Sequence, residues 1–100
     1  MSVLVTIKFQ GNTATFRQAL TDRSAEFVKI SASARAAGAR RHRFGVGDGF
    51  VMVADEWDSA EQFQQFFSNP DLQAFIGTVG AEPVPPEITV AEAIDSPDQF

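Results

Sequence analysis

Residues 39–57, Ala39-Arg-Arg-His-Arg-Phe-Gly-Val-Gly-Asp-Gly-Phe-Val-Met-Val-Ala-Asp-Glu-Trp57, decide the fold. From Ala39 to Val46 the residues alternate, with Arg40, His42, Phe44 and Val46 on one face and Arg41 and Arg43 on the other. Period-two alternation is the signature of a β-strand with two unlike faces. Phe50 to Trp57 alternates in the same way, with Val51, Val53, Asp55 and Trp57 opposed to Phe50, Met52, Ala54 and Glu56. Between them Gly47-Asp48-Gly49 supplies the backbone freedom of a tight turn, so the two runs pair as an antiparallel hairpin. That pairing sets residues near 54–56 opposite residues 40–42.

Working outward, Val3, Val5, Ile7 and Phe9 alternate with Leu4, Thr6 and Lys8 as a first strand. Thr13 is the expected N-cap of a helix running to Ala37, with Phe16, Leu20, Phe27, Ile30, Ala34 and Ala37 along one stripe. Gly38 stops it. At 1.5 Å per residue that helix would reach roughly 37 Å, so a break at Thr21-Asp22 is expected, with Asp22 capping the second piece. Beyond the hairpin, Asp58 or Ser59 caps a helix that buries Phe63, Phe66 and Phe67. Asn69-Pro70 interrupts it, and a short helix from Asp71 turns Leu72, Phe75 and Ile76 inward. Glu82-Pro83-Val84-Pro85-Pro86 is an extended linker. Glu87 to Ile94 is a last strand.

The order β-α-β-β-α-β specifies an α+β, ferredoxin-like domain with a four-stranded antiparallel sheet. It spans residues 1–94, with 95–100 as a C-terminal tail. Both helical segments fall on one face of such a sheet. Leu4, Phe44 or Met52, and Phe50 are then expected on the other, and pairing two sheets face to face in a homodimer, a dimeric α/β barrel, covers them.

Composition narrows the function classes. The 100 residues contain no Cys and one His, which excludes disulfides, thiolate nucleophiles and cysteine metal sites, and argues against an all-protein metal centre. A net charge of −5 weighs against nucleic acid as the main partner. No apolar run is long enough for a membrane span and Met1-Ser2-Val3 starts no signal peptide, so a cytoplasmic protein is expected. The charge is uneven: residues 1–43 carry +6 and residues 44–100 carry −11. The acids Glu87, Glu92, Asp95 and Asp98 are therefore expected near Arg40, Arg41 or Arg43, in the same chain or across a dimer.

Few residues carry candidate chemistry. Gly45-Val46-Gly47-Asp48-Gly49 joins two strands, whereas a dinucleotide-binding glycine loop opens a helix. The cluster Arg40-Arg41-His42-Arg43 reads either as a solvated strand edge or as an anion site for a carboxylate or phenolate. Histidine ordinarily titrates near neutrality, so His42 is either structural or a general base, with Asp55 or Glu56 as its partner. Trp57 is either a core anchor or a pocket wall that stacks a planar ligand. The ten Phe residues supply core, and Phe44, Phe63 and Phe66 are candidates for the lining of an apolar pocket with Arg40 and Asp55.

From Phe50 to Phe75, the Asp-Glu-Trp57 strand end, the Ser/Asp-capped helix and the Asn69-Pro70 break resemble the antibiotic biosynthesis monooxygenase family of dimeric α/β barrels. The order of elements agrees across about nine-tenths of the chain. This resemblance implies a homodimer with a pocket between sheet and helices. It also implies oxidation of a small aromatic metabolite, a polycyclic phenol or quinone precursor, without metal or flavin. His42 and Trp57 are its candidate catalytic residues, and no cofactor is expected. The position of the ligating His in haem-degrading relatives falls near Ile76, which sets haem degradation aside. A non-catalytic ligand-binding or dimeric interaction module of the same fold is the alternative.

Overall fold

Alternating apolar residues make the strands and capped amphipathic runs make the helices, in the computed structural model that describes all 100 residues. Strands β1 (Val3–Gln10), β2 (Ala39–Gly47), β3 (Phe50–Trp57) and β4 (Glu87–Glu92) form one antiparallel sheet in the order β2-β3-β1-β4. Helices α1 (Thr13–Asp22), α2 (Ser24–Ala37), α3 (Ala60–Phe67) and α4 (Pro70–Ile76) fill the two crossovers. This is the ferredoxin-like arrangement, with each expected helical segment divided in two. Asp48 and Gly49 turn the hairpin, and only Gly49 adopts a positive φ, 77°.

Several local expectations need correction. Asn12, not Thr13, caps α1, its Oδ1 accepting the Thr15 N–H at 2.9 Å. The helical break falls at Arg23 (φ −121°, ψ 31°), and Asp22 ends α1 instead of capping α2, which has no side-chain cap. The cause is tertiary. Arg23 donates to Thr78 Oγ1 at 2.6 Å, covers the Phe75 ring at 4.5 Å and holds Glu26 through two hydrogen bonds, and that bonding keeps the Glu26 carboxyl below its ordinary pKa. Asn69 caps α4 from Pro70. Strand β4 closes at Glu92, short of the expected Ile94.

Register assigns the faces. Val5 stands opposite Asp55 and Val90, and Ile7 opposite Val53 and Ile88, so these rows face the helices together. Val5, Ile7, Val53, Trp57 and Phe63 form one buried cluster, and Phe16, Ala19, Val51 and Val79 a second. The outer face carries Leu4, Phe50, Met52, Ala54 and Ala91, interleaved with Arg41 opposite Glu56 and with Lys8, whose Nζ lies 4.5 Å over the Phe50 ring. Within the chain the last acids do not meet the Arg cluster, because β4 and β2 occupy opposite sheet edges. Arg40 instead pairs with Asp58.

The segment after α4 is sewn to the end of β1. Asn12 N–H donates to the Gly80 carbonyl at 2.9 Å, Glu82 N–H to Gln10 at 2.8 Å, and Gly11 bridges Ala81. A Cβ on Gly11 would lie 2.3 Å from the Gly80 oxygen, so the close approach requires glycine there.

Helical cover is unequal along the inner face, and two isoleucines measure it. Ile7 is 3% exposed and Ile88, its neighbour on the edge strand, 44% exposed. Ile7→Ala should cost about 2–5 kcal/mol in urea unfolding, and Ile88→Ala less than half as much. Equal losses would mean that something covers β4 in solution.

Candidate active site

A cavity of about 600 Å³ lies between the sheet and the helices, lined by 31 residues of which 22 are hydrophobic. Its origin is the inner stripe of α2. After Phe27 and Ile30 that stripe offers only Ser31, Ala34 and Ala37, and no residue of α2 is buried. Protein interiors are normally filled to the density of organic crystals. The space is about half open to the outside and mostly apolar in its walls, so it holds water or a ligand.

At the α2–β2 junction the apolar wall gives way to a polar end. His42 stands opposite Asp55 in the β2–β3 ladder, and its Nδ1 lies 2.6 Å from Asp55 Oδ1. The second carboxylate oxygen accepts the Trp57 Nε1–H at 3.1 Å. An ionised carboxylate only accepts, so the neutral imidazole carries its proton on Nδ1 and leaves Nε2 free to take another. The Asp55 side chain is 8% exposed and that of His42 is 40% exposed, so an enclosed carboxylate aims a histidine that solvent and substrate can reach. Phe44 packs edge-on against the imidazole, with ring centres 4.7 Å apart.

All seven candidate site residues border this cavity: His42, Trp57, Arg40, Phe44, Asp55, Phe63 and Phe66. They divide by role. Trp57 is only 1% exposed, set edge-on to Phe63 and tilted against Phe66, so most of its ring is core and its indole N–H serves Asp55. Glu56, the other proposed partner of His42, points to the outer face and accepts from Ser2 Oγ at 2.7 Å. Sequence reasoning did not assign Phe16, Phe27, Phe75 and Arg35 to the lining. The stripe from Phe16 to Phe27 was the available signal for the first two; Arg35 sits on the flank of α2 and gave none. No three of the His, Asp and Glu side chains gather as a metal-ligand set, and no helix is long and apolar enough to cross a membrane.

Solved structures with this arrangement are informative. The structure of Rv0793 from Mycobacterium tuberculosis matches over 98% of this chain and 100% of its own, at TM-score 0.64 and 20% identity. SnoaB from Streptomyces nogalater, a cofactor-independent oxygenase, matches over 98% of each chain at TM-score 0.66 and 14% identity. A monooxygenase from the gene ActVA-Orf6 of Streptomyces coelicolor, in complex with nanaomycin D, matches over 95% of this chain and 89% of its own, at TM-score 0.65 and 14% identity. The fold is that of the antibiotic biosynthesis monooxygenase structures. No protein-family model and no curated protein sequence matches the chain.

The Asp55 contact makes a spectroscopic prediction. In nitrogen-15 NMR of the neutral imidazole, the wild-type His42 ring should show a protonated Nδ1 and an unprotonated Nε2. Asp55→Asn should shift it toward the Nε2–H form that free imidazoles favour. An unchanged tautomer would mean that the carboxylate does not orient the ring.

Proposed function

We propose that this chain is a homodimeric, cofactor-independent monooxygenase that oxidises a small aromatic molecule held in the sheet–helix cavity. The observation that carries the reading is the aligned Trp57–Asp55–His42 chain at the polar end of an apolar space. The description of SnoaB as a cofactor-independent oxygenase, the nanaomycin D complex and a dimeric ferredoxin-like protein among the similar structures support it.

In this reading His42 Nε2 takes a proton from an acidic C–H of the substrate, and the negative charge of Asp55 stabilises the imidazolium that results. The carbanion gives one electron to O2, and the superoxide so formed joins the same carbon as a peroxide. The imidazolium returns its proton to that peroxide. Loss of water, which takes up the second hydrogen of the carbon, leaves a carbonyl, so a CH2 and O2 become C=O and H2O. Trp57 acts through Asp55 as a positioning residue, and the phenylalanines hold the substrate plane. The outer sheet face, with Leu4, Met52 and Ala91, is the surface assigned to the second copy.

One observation favours the non-catalytic alternative. Neither asparagine borders the cavity, since Asn12 and Asn69 cap α1 and α4, so no Asn amide lies there to donate to a peroxide.

Oxygen uptake with an anthrone, whose central CH2 is acidic, decides between the readings. The wild-type protein should consume one O2 per quinone formed, and His42→Ala should lower kcat about 100-fold or more while KM changes little. Binding of the anthrone without oxygen uptake would support the ligand-binding module. Sedimentation should give twice the chain mass of 10.9 kDa, and Leu4→Glu should return it to a folded monomer. A wild-type monomer would remove the dimer from the proposal.

A further inference from the structure

The charge segregation of the sequence reappears as two unlike edges of the sheet. Strand β2 presents Arg41 and Arg43 on the outer face at one edge, and at the other edge β4 runs out through Glu92 to Asp95 and Asp98. None of these five residues forms an ion pair within the chain. Glu92, Val3, Trp57 and Ala39 stand in one row across the sheet, so β4 ends at the level where β2 begins. Residues 95–100 leave the sheet there and hydrogen-bond only among themselves. Ile94 is 76% exposed and Phe100 fully exposed, two large apolar side chains that their own chain does not cover.

Two copies packed face to face are related by a two-fold axis lying between their sheets. An axis across the strands sets β2 on β2 and β4 on β4, like charge on like. An axis along the strands sets β2 of each copy over β4 of the other at the same level, so unlike charges meet at both seams. Packed sheets lie about 10 Å apart, and six extended residues span roughly 20 Å. The tail of one copy is therefore long enough to reach β2 of the other.

We infer that the two chains clasp each other: residues 95–100 of each lie along the β2 edge of its partner, with Asp95 and Asp98 against Arg41 and Arg43, over the opening beside His42. This inference rests on the dimer proposed above and adds that each cavity is closed by the other chain. The polar end of the cavity lies at this edge, where the His42 side chain is 40% exposed. A chain laid across it withdraws the imidazole from water and covers Phe100.

His42 is the only His, and Tyr and Cys are absent, so carbethoxylation by diethyl pyrocarbonate, read by ultraviolet absorbance, reports the exposure of that one ring. At protein concentrations where the dimer persists, removing residues 95–100 should speed the reaction severalfold. In sedimentation, Arg41→Glu with Arg43→Glu, and separately Asp95→Lys with Asp98→Lys, should each weaken the dimer about 10-fold or more. An equimolar mixture of the two double variants should restore it, because each seam then joins opposite charges again. Added salt should weaken the wild-type dimer.

A wild-type dimer that salt tightens or leaves unchanged would overturn the inference and keep the dimer. So would full dimer affinity in Asp95→Lys with Asp98→Lys, a mixture no tighter than its components, or a His42 that reacts equally fast with and without residues 95–100. A wild-type protein that sediments as a monomer would remove the dimer and the clasp together.

Discussion

Register in the β2–β3 hairpin is the constraint on which the rest depends. Two turn residues, Asp48 and Gly49, fix the pairing that sets His42 against Asp55. Because side chains alternate, a slip of one residue would send His42 to the outer face and bring Arg41 and Arg43 against the helices. The same register ends β3 with Trp57 inside, where its indole reaches Asp55 two residues back along the same face. One ladder therefore sets both the main buried aromatic of the core and the polar end of the cavity. A single irregularity between Ala39 and Arg41 absorbs the change of direction as the chain leaves α2.

How much was legible follows from which interactions are local. The hairpin and the helix stripes come from residues whose spacing fixes their relation, and the same spacing narrowed the α3 cap to Asp58 or Ser59 and the partner of His42 to Asp55 or Glu56, of which the structure selects Ser59 and Asp55. The break at Arg23 lies one residue beyond the expected Thr21-Asp22 because apolar periodicity runs straight through it, from Phe16 to Phe27. What places it is a partner 55 residues away, Thr78. The cavity was only half visible. Its aromatic walls and its histidine could be named, but its size depends on how far the small residues of α2 stand from the sheet. Arg35 belongs to that same hidden part, since a helix-flank arginine has no pattern that separates a pocket rim from solvent.

Likeness of fold and likeness of chemistry separate here. TM-scores of 0.64 and 0.66 over nearly the whole length establish the architecture shared with solved structures that are only 20% and 14% identical. They leave the polar groups of the cavity to be read from this chain alone, and a shared fold does not carry an activity with it. What this chain offers is a histidine held by a carboxylate, which an indole holds in turn, beside arginines. Its asparagines are spent elsewhere. The electrostatics of the cavity, more than its outline, are what this chain adds to the shared scaffold.

Helix α2 has a kinetic consequence. It is the longest helix in the protein and contains no buried residue, whereas the strands beneath it hold the core. Regions with few buried apolar contacts open with free energies well below that of global unfolding. A roof of this kind can lift while the sheet stays paired and close again, and the amides of residues 24–37 would lose their protons to solvent long before those of β1 and β3.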